Sequence, residues 1–143
     1  MKISPVVTET IETRHTSFIV NFRVLYNITF IIGDSGTGKS AVFSFVKELA
    51  VKDNRIRCFN YLDKNIGYKS IIKKSKGKLF IIDNADLLLD DKTRQYIALD
   101  TMNQYVIIGR NPTGLLLGQD EIFELESRTV GDITEFSLKQ AFG

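Results

Sequence analysis

Three largely apolar runs, broken only by Thr29, constrain this chain more than any other feature. They are Ile28-Thr29-Phe30-Ile31-Ile32, Leu79-Phe80-Ile81-Ile82 and Tyr105-Val106-Ile107-Ile108. A strand with one wet face alternates apolar and polar residues. These runs do not alternate, so they read as central strands covered on both faces. Residues 40–51 lie between the first two runs. There Val42, Phe43, Val46, Leu49 and Ala50 fall at helical spacing and predict an amphipathic helix. Residues 90–102 predict another, with Asp90 and Asp91 at its positive end. Strands alternating with helices imply βαβ units and a parallel sheet.

The flanks read differently. Residues 6–11 and 17–22 are rich in β-branched and aromatic residues, and Thr13-Arg14-His15 separates them, which predicts a β-hairpin. Residues 55–62, 121–126 and 132–138 predict further strands. A short helix is expected near 68–73, and a single helical turn at Leu115-Leu116-Leu117. Antiparallel strands at both ends would make the sheet mixed. With 143 residues the expectation is one domain, residues 1–26 forming its hairpin extension.

The first apolar run leads directly into Gly33-Asp34-Ser35-Gly36-Thr37-Gly38-Lys39-Ser40, which fits G-x-x-x-x-G-K-[ST] at every fixed position. The glycines let the backbone wrap with its N–H groups inward, forming an anion nest. The following helix, through Ala41, adds its N-terminal dipole. In such a loop Lys39 reaches the β and γ phosphates and Ser40 ligates Mg²⁺. A nucleoside triphosphate is the expected ligand. The second chemical feature is Asp83, 43 residues after Ser40 and directly after Leu79-Phe80-Ile81-Ile82. An acid at the end of a central strand is where the Mg²⁺-holding aspartate of phosphate-loop proteins stands.

On these residues the chain resembles the P-loop NTPases, in the branch that includes the AAA-type, RecA-like and ABC-type ATPases. The resemblance covers about residues 27–126. It implies an α/β, three-layer P-loop sandwich with a mainly parallel central sheet and antiparallel additions at the termini. It also implies ATP and Mg²⁺ as cofactors, and a strand ending at Gly109 placed between those ending at Gly33 and Asp83. Arg110 and Asn111 would then stand beside the γ phosphate as sensor or water-orienting groups; a polar turn before Pro112 is the alternative. Arg128 is either a trans-acting arginine in a homo-oligomer or a surface residue.

The chain departs from the branch at Asn84, where a catalytic glutamate is expected. An amide carries no titratable carboxylate and cannot serve as a general base, although it can position a water. Asp86 could substitute if its turn brings it inward; otherwise it caps a helix or faces solvent. An ABC-type signature and room for an AAA-type lid are both missing.

Composition removes other classes. Nineteen basic and 17 acidic side chains give a net charge of +2, too balanced to imply nucleic-acid or membrane binding. The basic run Lys73-Lys74-Ser75-Lys76-Gly77-Lys78 is either a solvated loop or a phosphate contact. Cys58 has no disulfide partner within the chain and reads as a structural thiol, which suits a reducing cytoplasm. The first twelve residues lack the order of a signal peptide, and no apolar run approaches membrane-spanning length. His15 is the only histidine, which excludes a histidine cluster. The expectation is a cytoplasmic Mg-ATP-binding protein. It would be either a small ATPase acting on a nucleic-acid or protein partner, or a switch or scaffold with little turnover. A small-molecule or nucleotide kinase ranks last, because residues 110–120 carry one arginine.

Overall fold

A computed structural model describes residues 3–32 and 39–142, with Lys39 and Ser40 described by backbone alone. Eight strands form one sheet: β1 (Thr10–Arg14), β2 (Phe18–Arg23), β3 (Ile28–Ile32), β4 (Ile56–Phe59), β5 (Leu79–Ile82), β6 (Gln104–Gly109), β7 (Ile122–Val130) and β8 (Ile133–Gln140). Their order across the sheet is β1-β2-β8-β7-β3-β6-β5-β4. The neighbours β7, β3, β6, β5 and β4 run parallel to one another. The pairs β1–β2 and β7–β8 are antiparallel, and β2 joins β8 in parallel.

The apolar runs became the central strands for the reason their pattern implied. Phe30, Phe80, Ile82, Tyr105 and Ile107 pack on one face with Tyr68, Ile72, Leu88 and Ile97. Those four residues come from α2 (Tyr68–Lys74), α3 (Ala85–Leu88) and α4 (Asp91–Leu99). Ile31, Leu79, Ile81, Val106 and Ile108 pack on the other face with Val42, Phe43 and Val46 of α1 (Lys39–Lys52). Ile11, Val20 and Phe22 of the first hairpin belong to this second cluster, so the sheet edge folds over toward α1. The His15 ring packs on Phe45 at 4.5 Å between centroids, and its Nδ1 lies 3.3 Å from the Glu48 carboxylate, which docks the hairpin turn on the helix.

The expected three-layer sandwich is corrected by this architecture. The chain forms a curled, mixed eight-stranded half-barrel with four short helices among the described residues, about 29% helix against 36% strand, and not a helix-rich parallel-sheet P-loop sandwich. The cause lies in the connections. A parallel strand needs a crossover, usually helical, whereas an antiparallel pair needs only a turn. Four of the eight strands sit in hairpins and bring no helix with them. At the second hairpin, Val130 pairs with Ile133 across two residues, and Gly131 has φ +62°. A two-residue hairpin turn favours residues that tolerate positive φ, glycine above all.

Local expectations shift as well. The predicted turn at residues 115–117 gives way to a 3₁₀ turn at Gln119–Glu121. The predicted helix over 90–102 forms as the shorter α4, which ends at Leu99, and α3 appears before it where no helix was expected. Cys58 is half-buried on β4; desolvation pushes its thiol up to about 12, so it stays protonated and inert at neutral pH. Among the described residues no helix is long and apolar enough to cross a membrane.

Candidate functional site

The candidate site forms where the parallel strands end. β6 lies between β3 and β5, and Gly109 pairs with Ile32 while Ile107 pairs with Ile82. The ends of these three strands therefore stand side by side at one edge of the sheet. Residues 33–38, which carry Gly33, Asp34, Ser35, Gly36, Thr37 and Gly38, lie outside the described residues, as do the side chains of Lys39 and Ser40. What is described brackets them: β3 ends at Ile32 and the 14-residue α1 begins at Lys39. The first turn of α1 holds no acidic residue, so nothing there opposes an anion at the positive end of the helix dipole. Ala41, in that turn, is exposed.

Asp83 follows β5 and is half-buried. Its backbone N–H donates to the Phe59 carbonyl at 2.8 Å, continuing the β4–β5 ladder, and its Oδ1 accepts the Asn84 N–H at 2.9 Å. Asn84 is exposed and sits in the left-handed region, φ 52° and ψ 45°. That conformation turns the chain abruptly from β5 into α3. Asparagine tolerates it better than most residues with a Cβ, and a longer side chain would be more strained.

Asp86 takes no position as a free base. Its Oδ2 accepts the Arg110 N–H at 2.7 Å and its Oδ1 accepts the Asn111 N–H at 3.0 Å. Thus the structure does bring Asp86, Arg110 and Asn111 together, but through the backbone of the last two. The Asn111 side chain is also engaged: its Oδ1 accepts from the backbone N–H of Thr113 at 3.0 Å and from the Thr113 hydroxyl. The Arg110 side chain is exposed at the strand edge. Arg128 stands elsewhere, exposed on β7 opposite Glu135 of β8.

Two participants escaped the sequence reading. Arg94 of α4 is buried, its side chain 8% exposed, and its Nη1 donates to the carbonyls of Asn111 at 2.6 Å and Thr113 at 2.8 Å while Nη2 lies 3.5 Å from Asp86 Oδ1. The signal was present: Arg94 stands three and four residues before Ile97 and Ala98, on the buried stripe of its helix. Gly109 is the second. A Cβ there would lie 3.3 Å from both Asp86 carboxylate oxygens and 3.3 Å from Phe30 Cζ. A side chain at this position would press on the carboxylate and on Phe30, which would have to give by a few tenths of an ångström.

Among the described residues no group of three or more His, Cys, Asp or Glu side chains is placed to hold a metal ion. No protein-family model matches this chain, and no curated protein matches it either.

Proposed function

We propose that this protein binds Mg-ATP through residues 33–40 and turns it over slowly, acting as a nucleotide-dependent switch or scaffold. The observation that carries the reading is the complete G-x-x-x-x-G-K-[ST] sequence set between the end of β3 and the first turn of α1. The neighbourhood supports it: α1 opens without an acidic residue, and Asp83 stands at the end of β5, two strands across. The donors suit the group. The loop amides and Lys39 would hold the phosphates, and Ser40 and Asp83 would hold Mg²⁺, the aspartate through water. Bound there, the cation would neutralise charge on the β and γ phosphates.

Slow turnover is favoured over an efficient ATPase by two observations. Asn84 stands where the carboxylate of a hydrolytic enzyme is expected, and both oxygens of Asp86 are engaged by backbone amides. A small ATPase working on a nucleic-acid or protein partner is the second reading. It would rely on Asn84 or Asn111 to orient water, or on a partner to supply the missing group, such as Arg128 of a neighbouring copy.

Titration with a fluorescent Mg-ATP analogue tests the proposal. Lys39→Ala is expected to weaken binding by at least about thirtyfold, equivalent to about 2 kcal/mol. Unchanged affinity in a folded Lys39→Ala variant would overturn the assignment of residues 33–40. Phosphate release near the buffer rate despite saturation would support the switch over the ATPase.

A further inference from the structure

The basic run at residues 73–78 meets an apolar surface that its sequence does not announce. On α4 the buried residues are Thr93, Arg94, Ile97 and Ala98. Lys92, Gln95, Tyr96 and Leu99 follow the i, i+3, i+4, i+7 spacing on the opposite face. A helix face turned away from the core is ordinarily polar. Here it carries Tyr96, and Leu99 is 66% exposed; Met102, just beyond the helix, is 51% exposed. These residues line an open depression of about 400 Å³.

Two hydrogen bonds hold the basic run beside that depression. The Gly77 N–H donates to the Met102 carbonyl at 2.8 Å, and Asn103 Nδ2 donates to the Ser75 carbonyl at 2.9 Å. Lys76 therefore stands next to Met102, and Lys73 Nζ lies 5.8 Å from the centre of the Tyr96 ring. Lys73, Lys74, Lys76 and Lys92 are exposed, and none of them pairs with a carboxylate among the described residues. The one acid in the lining, Asp100, is buried and already accepts from the Met102 N–H, Asn103 and Tyr105.

Exposed apolar side chains ringed by cations fit a partner with the opposite pattern, an apolar anchor flanked by negative charge. We infer that this surface docks an acidic protein segment. One apolar side chain of the segment seats against Tyr96, Leu99 and Met102, and its carboxylates face Lys73, Lys76 and Lys92. A nucleic acid fits less well. Lys73 already lies over the Tyr96 ring, and the ring packs against the core, which disfavours the base stacking that single-stranded binding relies on. The surface adjoins the starts of β5 and β6, the edge opposite residues 33–40, and shares no residue with the proposed nucleotide site.

Fluorescence anisotropy with labelled peptides in which a leucine or phenylalanine is flanked by runs of glutamate tests this. The protein should bind at least one such peptide, and serine in place of the apolar residue should lower affinity at least about tenfold. Lys73→Gln/Lys76→Gln/Lys92→Gln and Leu99→Ser/Met102→Ser should each lower it about tenfold or more, whereas Lys47→Gln/Lys52→Gln on α1, across the sheet, should change it less than about twofold. The substituted side chains are exposed, and an unchanged urea midpoint checks that each variant folds. The ¹H–¹⁵N resonances of Gly77, Gln95 and Thr101 should shift on saturation while those of β7 and β8 stay in place. No binding by any peptide, indifference to the apolar residue, or equal losses in the α1 variant overturns the inference. So does tighter binding of oligo-dT or of phosphatidylserine vesicles that the same substitutions abolish, which would make this a nucleic-acid or lipid surface.

Discussion

At the N-terminal edge of the parallel strands, Asn27, Asn103 and Gln104 are at most 1% exposed. Asn27 accepts the Val6 N–H and donates to the Asn103 carbonyl; Asn103 accepts the Lys78 N–H and donates to Ser75 and Asp100. Gln104 accepts the N–H groups of Val7 and Thr8 and donates to the Thr8 carbonyl. Tyr105 adds its hydroxyl to Asp100, and burial first, then that carboxylate, raises its pKa far above the ordinary tyrosine range. At the opposite edge, Asn84, Asp86, Arg110 and Asn111 are all exposed. The same residue types thus occur in two settings. Buried and satisfied, they staple the N-terminal segment and the strand starts together. Exposed where β3, β5 and β6 end, they lie open to solvent. A polar residue at a strand end is therefore informative about function only once its burial and its bonds are known.

The comparison breaks most visibly at Gln104. Gln104→Ala leaves two amides and one carbonyl of the N-terminal segment without partners and opens a hole in the core. It should lower stability by about 3 kcal/mol, read from urea unfolding. Nucleotide affinity of the folded fraction should stay unchanged. A parallel fall in affinity would mean that the two edges are not separable.

Much of this contrast was legible in advance, and some of it could not have been. The runs at 28–32, 79–82 and 105–108 announced buried central strands because they never alternate, and the structure buries them on two faces. The helix over 39–52 followed from its apolar spacing. The curl of the sheet did not follow, because it depends on β2 meeting β8 across more than a hundred residues, a pairing no local pattern encodes. α3 is four residues long and is entered through a left-handed Asn84, so helical periodicity had no length in which to show. At the site, residue identities were readable but their assignments were not. Asp86 reads as a spare acid until its bonds to amides 24 and 25 residues away are seen. The spacing of Arg94 places it on the buried stripe of α4, but its partners, the carbonyls of Asn111 and Thr113, lie 17 and 19 residues away and no local pattern names them.

Asp90 sharpens the comparison, since it is a half-exposed carboxylate just beyond α3 that is nonetheless committed to structure. It caps α4, with Oδ1 accepting the Thr93 N–H at 2.8 Å, and it pairs with Lys69. The Lys69 ammonium, then Thr93, hold its pKa well below the usual carboxylate range. Asp90→Ala should lose about 1.5 kcal/mol at pH 7, mostly the cap, with a smaller share from an exposed ion pair. The sign follows from a depressed folded pKa. The contribution is complete above the unfolded value of about 3.9 and is lost as pH falls through the lower folded value. The gap between wild type and variant, measured by denaturant unfolding, should stay constant from pH 8 to about 5 and narrow below about pH 4. A gap that persisted undiminished in acid would mean that the cap acts without its charge.

The smallest effect concerns the strained residue at the site edge. Asn84 holds φ 52° while remaining exposed, so its side chain contributes little packing to offset the strain. Asn84→Gly removes the Cβ that opposes this conformation but loosens the unfolded chain, and the two terms oppose each other. Stability should stay within about 0.5 kcal/mol of wild type, whereas Asn84→Ala should lose about 1 kcal/mol, because alanine lacks the local hydrogen bonding that lets asparagine adopt the left-handed region. Thermal unfolding of the two variants gives the order directly. If alanine proved as stable as asparagine, the turn would relax out of its left-handed form without consequence. The left-handed conformation at residue 84 would then no longer explain why an amide, and not the expected glutamate, follows Asp83.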